Sequence, residues 1–358
     1  MAQPTSTCST SKRKRVEEPT QATIAPTTRS DRVWFDDGNV VLQAELTLFK
    51  VHKSILALHS TVFKDMFSIP QPPSEGETMV EGCPVVCVSD TAVDLTIVLE
   101  ALFQRGYVHV TACEPLSFEV VAAFIRIGKK YDIAILYSEG VKRLSYEYPS
   151  DLGDYLKLVP GSQISDCINV DVANLAREHD IPWVLPVALY WICYLASDTK
   201  EIVEGVSRDD GTTAVNLPGD ITACLVAFES LAILQAKTTF AWISSLSPTY
   251  ASCKTPKICA DVRTQKMCDM YFPHVYFMGL DPWCASSETK AGSSMCDSCA
   301  AVAEKLHEDG RVKFWAALPG IFGLPEWEVL ELKKEQELLG WCVAYGPYPF
   351  VIDIYIGG

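Results

Sequence analysis

Between Phe49 and Phe67 the chain reads FKVHKSILALHSTVFKDMF, and no other run constrains its fold as strongly. Leu46 to Val51 suits a strand. After His52 the apolar residues Ile55, Leu58, Val62, Phe63 and Met66 recur at spacings of three and four, the mark of helix with one buried face. Ser60 can accept from a free backbone N–H and so start a second helix, which predicts two short helices here. Strands surround the pair. Arg32 to Phe35 and Val40 to Leu42 are β-rich, and Asp37-Gly38 between them predicts a hairpin. Pro70 to Gly82 reads as loop and Val85 to Val88 as a buried strand. Asp90 or Thr91 can cap a helix carrying Val93, Ile97, Leu99 and Leu102. Tyr107 to Val110 suits another strand, and Pro115 to Tyr131 and Asp132 to about Tyr146 read as helices. Strands and helices so ordered make an α+β unit.

The 358 residues exceed what one ordinary domain needs. Beyond Pro149 the strand signal fades. Ser165 to His179, Ile181 to Ala196, Leu217 to Leu246, Ala300 to Leu318 and Pro325 to Leu339 read as helices, with Glu201 to Thr213 a polar linker. Trp341 to Ile356 suits a strand or a docked extended segment. Ile181 to Ala196 is the most apolar stretch, but it is shorter than a membrane span and contains Pro182 and Pro186, so it reads as a buried core helix and no membrane partner is expected.

Charge divides the chain unevenly. Lys plus Arg is 30 against Asp plus Glu 45, a formal −15. Within residues 1–30, a polar tail without periodicity, Lys12, Arg13, Lys14, Arg15 and Arg29 outnumber Glu17 and Glu18, leaving +3 there and −18 for the rest. A body so acidic repels polyphosphate, so direct nucleic-acid binding is not expected. The run Lys12 to Arg15 is a nuclear-import candidate. Met1 is followed by polar residues instead of a secretory signal, so the chain is expected inside the cell, in nucleus or cytoplasm, with its thiols reduced.

Fourteen cysteines are present, and their spacing matters more than their number. Cys296 and Cys299 form a CxxC that opens a helix. Two thiolates so spaced can turn toward one ion, and the helix N-terminus favours the thiolate form. Cys253 and Cys259, five residues apart around Pro256, are the natural complement. The four would bind a structural zinc and staple the loop-rich stretch Ser247 to Ser294; free thiols or a redox pair are the alternatives, the latter without the βαβ context it needs. Cys284, Cys268, His274 and His307 are substitute ligands. Lys254, Lys257, Arg263, Lys266 and Lys290 are balanced by Asp261, Asp269, Asp281, Glu288 and Asp297, so the region has no basic face. No G-x-S-x-G, Walker A, H-E-x-x-H or dinucleotide glycine fingerprint occurs, and neither an enzyme nor an organic cofactor is expected.

Residues 31 to about 147 resemble the BTB (POZ) domain. The likeness rests on Asp31 with a strand after it, on an aromatic, a His, a basic residue and a helix ending Ser-x-x-Phe, here Phe49, His52, Lys53, Ser60 and Phe63, and on VVCVSD, LEALFQRGYV and AAFIRIGKKYDIAIL in the family's order. The whole chain is also similar to fungal proteins that join such a domain, opening FDDGNVVLQAE, to a helical region with a late Cys pair; CPVV, LPVALYWICYLA and LPGIFGLPEW carry that likeness. The resemblance implies a non-enzymatic scaffold or adaptor that binds protein partners and self-associates, with Asp31 and Lys53 at the positions of a charged pair near the dimer interface. A strand-swapped dimer would need a strand and helix before Asp31, where this chain has only its polar tail. The same resemblance admits a nuclear transcription-associated regulator or a substrate adaptor for a cullin ubiquitin ligase, although LFQRGYVHV lacks the aliphatic-x-Glu signal of many ligase adaptors. The expected organisation is a tail (1–30), a BTB/POZ-like module (31–148) and a mainly helical region (149–358) with a zinc-stapled segment at 253–299.

Overall fold

The computed structural model describes residues 26–69, 79–103, 115–161, 163–165, 168–196, 198–208, 210–243, 252–283 and 295–345, with side chains as far as residue 340. The basic run Lys12 to Arg15, the strand expected at Tyr107 to Val110, Cys284 and the segment after Tyr345 lie outside these residues.

The first unit is built on five strands: β1 (Thr28–Trp34), β2 (Val40–Ala44), β3 (Thr47–Val51), β4 (Met79–Val80) and β5 (Cys83–Val88). Their order is β1-β3-β2-β5-β4. β1 starts inside the expected tail, pairing Thr28 and Arg29 with Thr47 and Leu48 of β3. The hairpin expected around Asp37-Gly38 is not made. β1 runs parallel to β3, and β2 lies on the far side of β3. The turn instead crosses the end of β3, where a Cβ at Gly38 would meet Lys50 Cγ at 2.9 Å, so glycine serves close approach as well as turning. The hairpin joins β2 to β3 through Glu45-Leu46, with Glu45 at φ 52°. β5 then pairs parallel to β2, and its side chains are mostly half-buried instead of buried.

Helices α1 (Lys53–His59) and α2 (Thr61–Ser68) make that parallel crossover. Ser60 between them is extended (φ −134°, ψ 120°), and this break shifts the phase of the apolar stripe. Leu56 and Phe63 are buried, but Leu58 is 73% and Val62 41% exposed, so the single buried face expected from their spacing is corrected to two half-faces. Helix α3 (Ala92–Phe103) starts at Thr91, whose hydroxyl accepts from Asp94 N at 3.1 Å. A two-residue strand β6 (Leu116–Ser117) leads into α4 (Phe118–Lys130), and α5 (Ala134–Glu147) follows.

These last two helices serve two cores. Ala123, Phe124, Ile127, Ile133 and Leu136 pack with the sheet side chains Val33, Leu42 and Phe49. Val121, Ala122, Ile125, Tyr137, Val141 and Leu144 pack the other way, with Trp183, Leu189, Phe314 and Leu318 of the second unit. Glu147 binds the chain back onto α5, its carboxylate accepting backbone N–H groups of Gly161 (3.0 Å), Gln163 (2.7 Å) and Ile164 (3.2 Å). That sets strand β7 (Ile164–Ser165) parallel to β6.

The second unit is mainly helical: α6 (Leu152–Lys157), α7 (Asn169–Glu178), α8 (Leu185–Leu195), α9 (Thr199–Glu204), α10 (Pro218–Lys237), α11 (Pro256–Tyr271), α12 (Asp297–Ile321) and α13 (Trp327–Tyr345). Ile181 to Ala196 is the buried core expected, a 3-10 turn Pro182–Val184 continued by α8 with Pro186 in its first turn, where a missing N–H costs nothing. The polar linker expected at Glu201 to Thr213 instead contains the end of α9 and strands β8 (Val206–Ser207) and β9 (Thr213–Ala214). α10 is long and apolar enough to cross a membrane by length and composition. Its buried stripe Asp220, Cys224, Ala227, Leu231 and Gln235 carries two polar residues, each partnered. Asp220 accepts from Arg177 and Gln235 donates to Tyr276 O, so this face is built for protein. Helix, not strand, continues through Trp341 to Tyr345.

Candidate functional site

Four of the six signature residues of the first unit are spent on holding its α1–α2 corner. Phe49 is fully buried on β3. His52 ends that strand: its carbonyl accepts from Ile55 and Leu56 N, its ring lies 5.5 Å from Phe35, and Nε2 is 3.3 Å from an Asp37 carboxylate oxygen. Ser60 accepts from Phe63 N at 3.0 Å and donates to Tyr131 O at the end of α4. Phe63 stacks on Tyr131 at 4.7 Å, and the Tyr131 hydroxyl donates to Asp90. Burial first, and that hydrogen bond second, push the Tyr131 phenol well above its ordinary range.

The other two signature residues are less enclosed, Asp31 exposed and Lys53 half-buried. Asp31 is exposed on β1, while its neighbour Arg32 takes the buried Glu100 at 2.5 Å. Lys53 gives its backbone N–H to Asn39 Oδ1 at 2.8 Å and sets Nζ 5.5 Å above the Phe67 ring. No ion pair joins Asp31 to Lys53 among the described residues. On the same two helices Leu58 and Val62 are exposed, and Ile69 is 62% exposed where α2 ends. Sequence periodicity placed Leu58 and Val62 inside; the signal that could have found them outside was the cap at Ser60.

The second site joins α11 to α12. Cys253, Cys259, Cys296 and Cys299 bring their Sγ atoms within 4.8 Å of one another. The stretch expected to be loop-rich and without a core contains a sixteen-residue helix, because Pro256 in the first turn of α11 starts it directly after the first cysteine. Its core is small: Phe240, Trp242, Ile243, Val262, Met270, Met295 and Ala303 pack with Cys259 and Cys299. Cys296 N donates to Cys259 Sγ at 3.3 Å, and the Thr255 hydroxyl lies 3.3 Å from the same sulfur. Backbone N–H groups of Lys254 and Cys299 pull the Cys296 thiol down to about 6, whereas burial pushes Cys253 and Cys299 up.

The substitute ligands stand apart. His307 is fully buried with Nε2 2.9 Å from Asp281 O. His274 is exposed, and Cys268 is half-buried on α11 outside the cluster. All cysteines with described side chains are free of disulfides. A cleft of about 210 Å³ beside α8 and α9 is lined by Ile168, Val170, Trp191, Leu195 and Ile202, with Glu201 the one titratable residue among its lining.

Two comparisons with known proteins bear on these sites. The model of the BTB/POZ domain family matches residues 35–109, from the turn after β1 to beyond α3. No curated protein matches the chain, so the full-length likeness to fungal proteins has no counterpart there. The match covers β2 to β5 and α1 to α3 and includes every signature residue except Asp31. The chain therefore carries a BTB/POZ domain, a general protein–protein interaction module, in an α+β unit followed by a mostly helical region.

Proposed function

We propose that this chain is a non-enzymatic scaffold or adaptor whose BTB/POZ domain pairs with a second copy and whose helical region carries another protein. The exposed apolar corner of the domain carries this reading. Leu58 and Val62 stand in water on helices whose inner faces are satisfied by Leu56 and Phe63, and large apolar side chains grouped on a surface mark interaction sites. Asp31 and Lys53, unpaired with each other, offer complementary charge to a partner copy, as the resemblance implies. Leu225, Val226 and Ile233 on the outer side of α10 supply the second surface. An apolar cleft with one titratable lining residue supports binding better than catalysis.

Co-purification of two differently tagged full-length copies tests the reading. The untagged-bait background sets zero. L58D/V62D, which adds two charges to an already exposed corner and leaves the core untouched, is expected to cut recovery at least tenfold. Equal recovery by the variant would remove the corner from the interface.

A further inference from the structure

We propose that Cys253, Cys259, Cys296 and Cys299 bind one zinc ion, which fixes the start of α11 to the start of α12. The proposal stands independently of the pairing reading above. In a four-thiolate zinc centre with Zn–S of about 2.3 Å, tetrahedral geometry puts neighbouring sulfurs about 3.8 Å apart. Cys253 and Cys296 Sγ lie 3.9 Å apart, and no pair among the four exceeds 4.8 Å. Four sulfurs that converge from two segments more than thirty residues apart, without a disulfide, have the donor set and the dimensions of such a site.

The surroundings suit thiolates. Cys259 and Cys299 are buried and the other two half-buried, so water is kept off most of the site. The N–H of Cys296 and the hydroxyl of Thr255 both reach Cys259 Sγ, the kind of outer hydrogen bond that orients a ligand and stabilises its charge. Soft sulfur donors select zinc over magnesium or calcium, and four protein ligands leave no open position, which makes the ion structural. On binding, each sulfur still protonated releases its proton to solvent as it bonds the metal, and four thiolates around Zn2+ make the centre formally −2. Arg263 lies one turn beyond Cys259 on the same face of α11, is buried, and has an Nη1 without a hydrogen-bond partner, a cation placed to offset that charge.

The packing also explains what the ion is for. Cys296 sits at the N-cap of α12 with no side-chain cap, and the core beneath it is a handful of residues. Farther along, the same helix delivers Phe314, Trp315 and Leu318 to the main core of the helical region. Anchoring its first turn therefore orders a helix on which the larger core depends.

Elemental analysis of the full-length chain, purified under reducing conditions from zinc-supplied cells, gives the test. One equivalent of zinc is expected, falling at least fivefold in C253S/C296S and unchanged in C268S, a cysteine of α11 outside the cluster. Replacement by cobalt is expected to give intense thiolate-to-cobalt charge-transfer absorption with the visible bands of a tetrahedral sulfur site, a readout that the wild-type chain supplies even where the double variant fails to fold. A folded chain without metal, iron in place of zinc, a Cys253–Cys296 disulfide in the reduced preparation, or full zinc retention by C253S/C296S would each overturn the proposal.

Discussion

The hydroxyl of Tyr137 donates to Glu337 Oε1 at 2.6 Å, tying α5, a helix of the first unit, to α13, the last of the second. Burial and then Glu337 hold this phenol far above its ordinary range, so it stays a donor across the accessible pH range. Lys129 closes the same contact from α4, with Nζ 3.4 Å from Glu337. Y137F removes one hydrogen bond to a charged acceptor while Lys129 remains, and a loss of about 1.5–2 kcal/mol in unfolding free energy is expected from urea titration.

A fragment of residues 31–148 would lack the partner face of its last two helices. Val121, Ile125, Val141 and Leu144 would pass from burial into water, at about 1.5–3 kcal/mol each, a sum comparable with the whole stability of a domain. The fragment is expected to bind a hydrophobic dye and aggregate, whereas V121E/I125E/V141E in the same fragment should relieve the aggregation. A soluble, dye-negative fragment with a sharp melting transition would show that the cores are separable.

Gly310 lies where α12 crosses the end of α10. A Cβ there would meet Thr238 O at 2.4 Å, and backbone cannot give way as a side-chain tip can. G310A is expected to lower stability by about 1–3 kcal/mol despite alanine's better helix propensity. A melting temperature at or above that of the parent would refute the close approach.

His307 makes stability depend on pH. Its Nε2 must carry the hydrogen, because Asp281 O is an acceptor, and Nδ1 is buried without a partner in a cage of Phe240 and Trp283. Burial lowers its pKa below 6.5; Asp281 O and Glu308 oppose this, and Arg311 and Lys266 reinforce it. His179 is lowered as well, chiefly by burial. The unfolded chain then takes up protons first, so the contribution is complete above about pH 6.5 and is lost as pH falls below it. The urea midpoint should drop between pH 7.5 and 5.5, and H307Q, whose amide can still donate to Asp281 O, should flatten that slope.

Asp31 and Lys53 yield a charge-swap test of the partner contact. D31K is expected to weaken self-association by about fivefold, the scale of an exposed ion pair, and D31K/K53D to restore it. A double variant no better than the single one would place the two residues apart in the dimer.

Caps and cysteine spacings were legible in the sequence, whereas strand pairing and buried-charge partners were not. Ser60, Thr91 and the CxxC were legible because each acts within one helical turn. The grouping of Cys253/Cys259 with Cys296/Cys299 was also readable, since of the six cysteines between 253 and 299 these four form the two closely spaced pairs. The order of the sheet was not, for Asp37-Gly38 looks the same whether it closes a hairpin or crosses a strand, while the true hairpin turn, Glu45-Leu46, has no glycine or asparagine to announce it. Nor could Arg177–Asp220 or the Glu147 cradle be seen, because the partner of each buried charge is set by packing. Leu58 and Val62 were misplaced because a period of 3.6 carries no information past an extended residue.

The molar mass of the full-length chain by light scattering, at tens of micromolar and physiological salt, tests the pairing of the BTB/POZ domain most directly. One chain weighs 39.5 kDa. Twice that mass, falling to a single chain in L58D/V62D, is the expected result; a wild-type mass of one chain across the concentration range would contradict it.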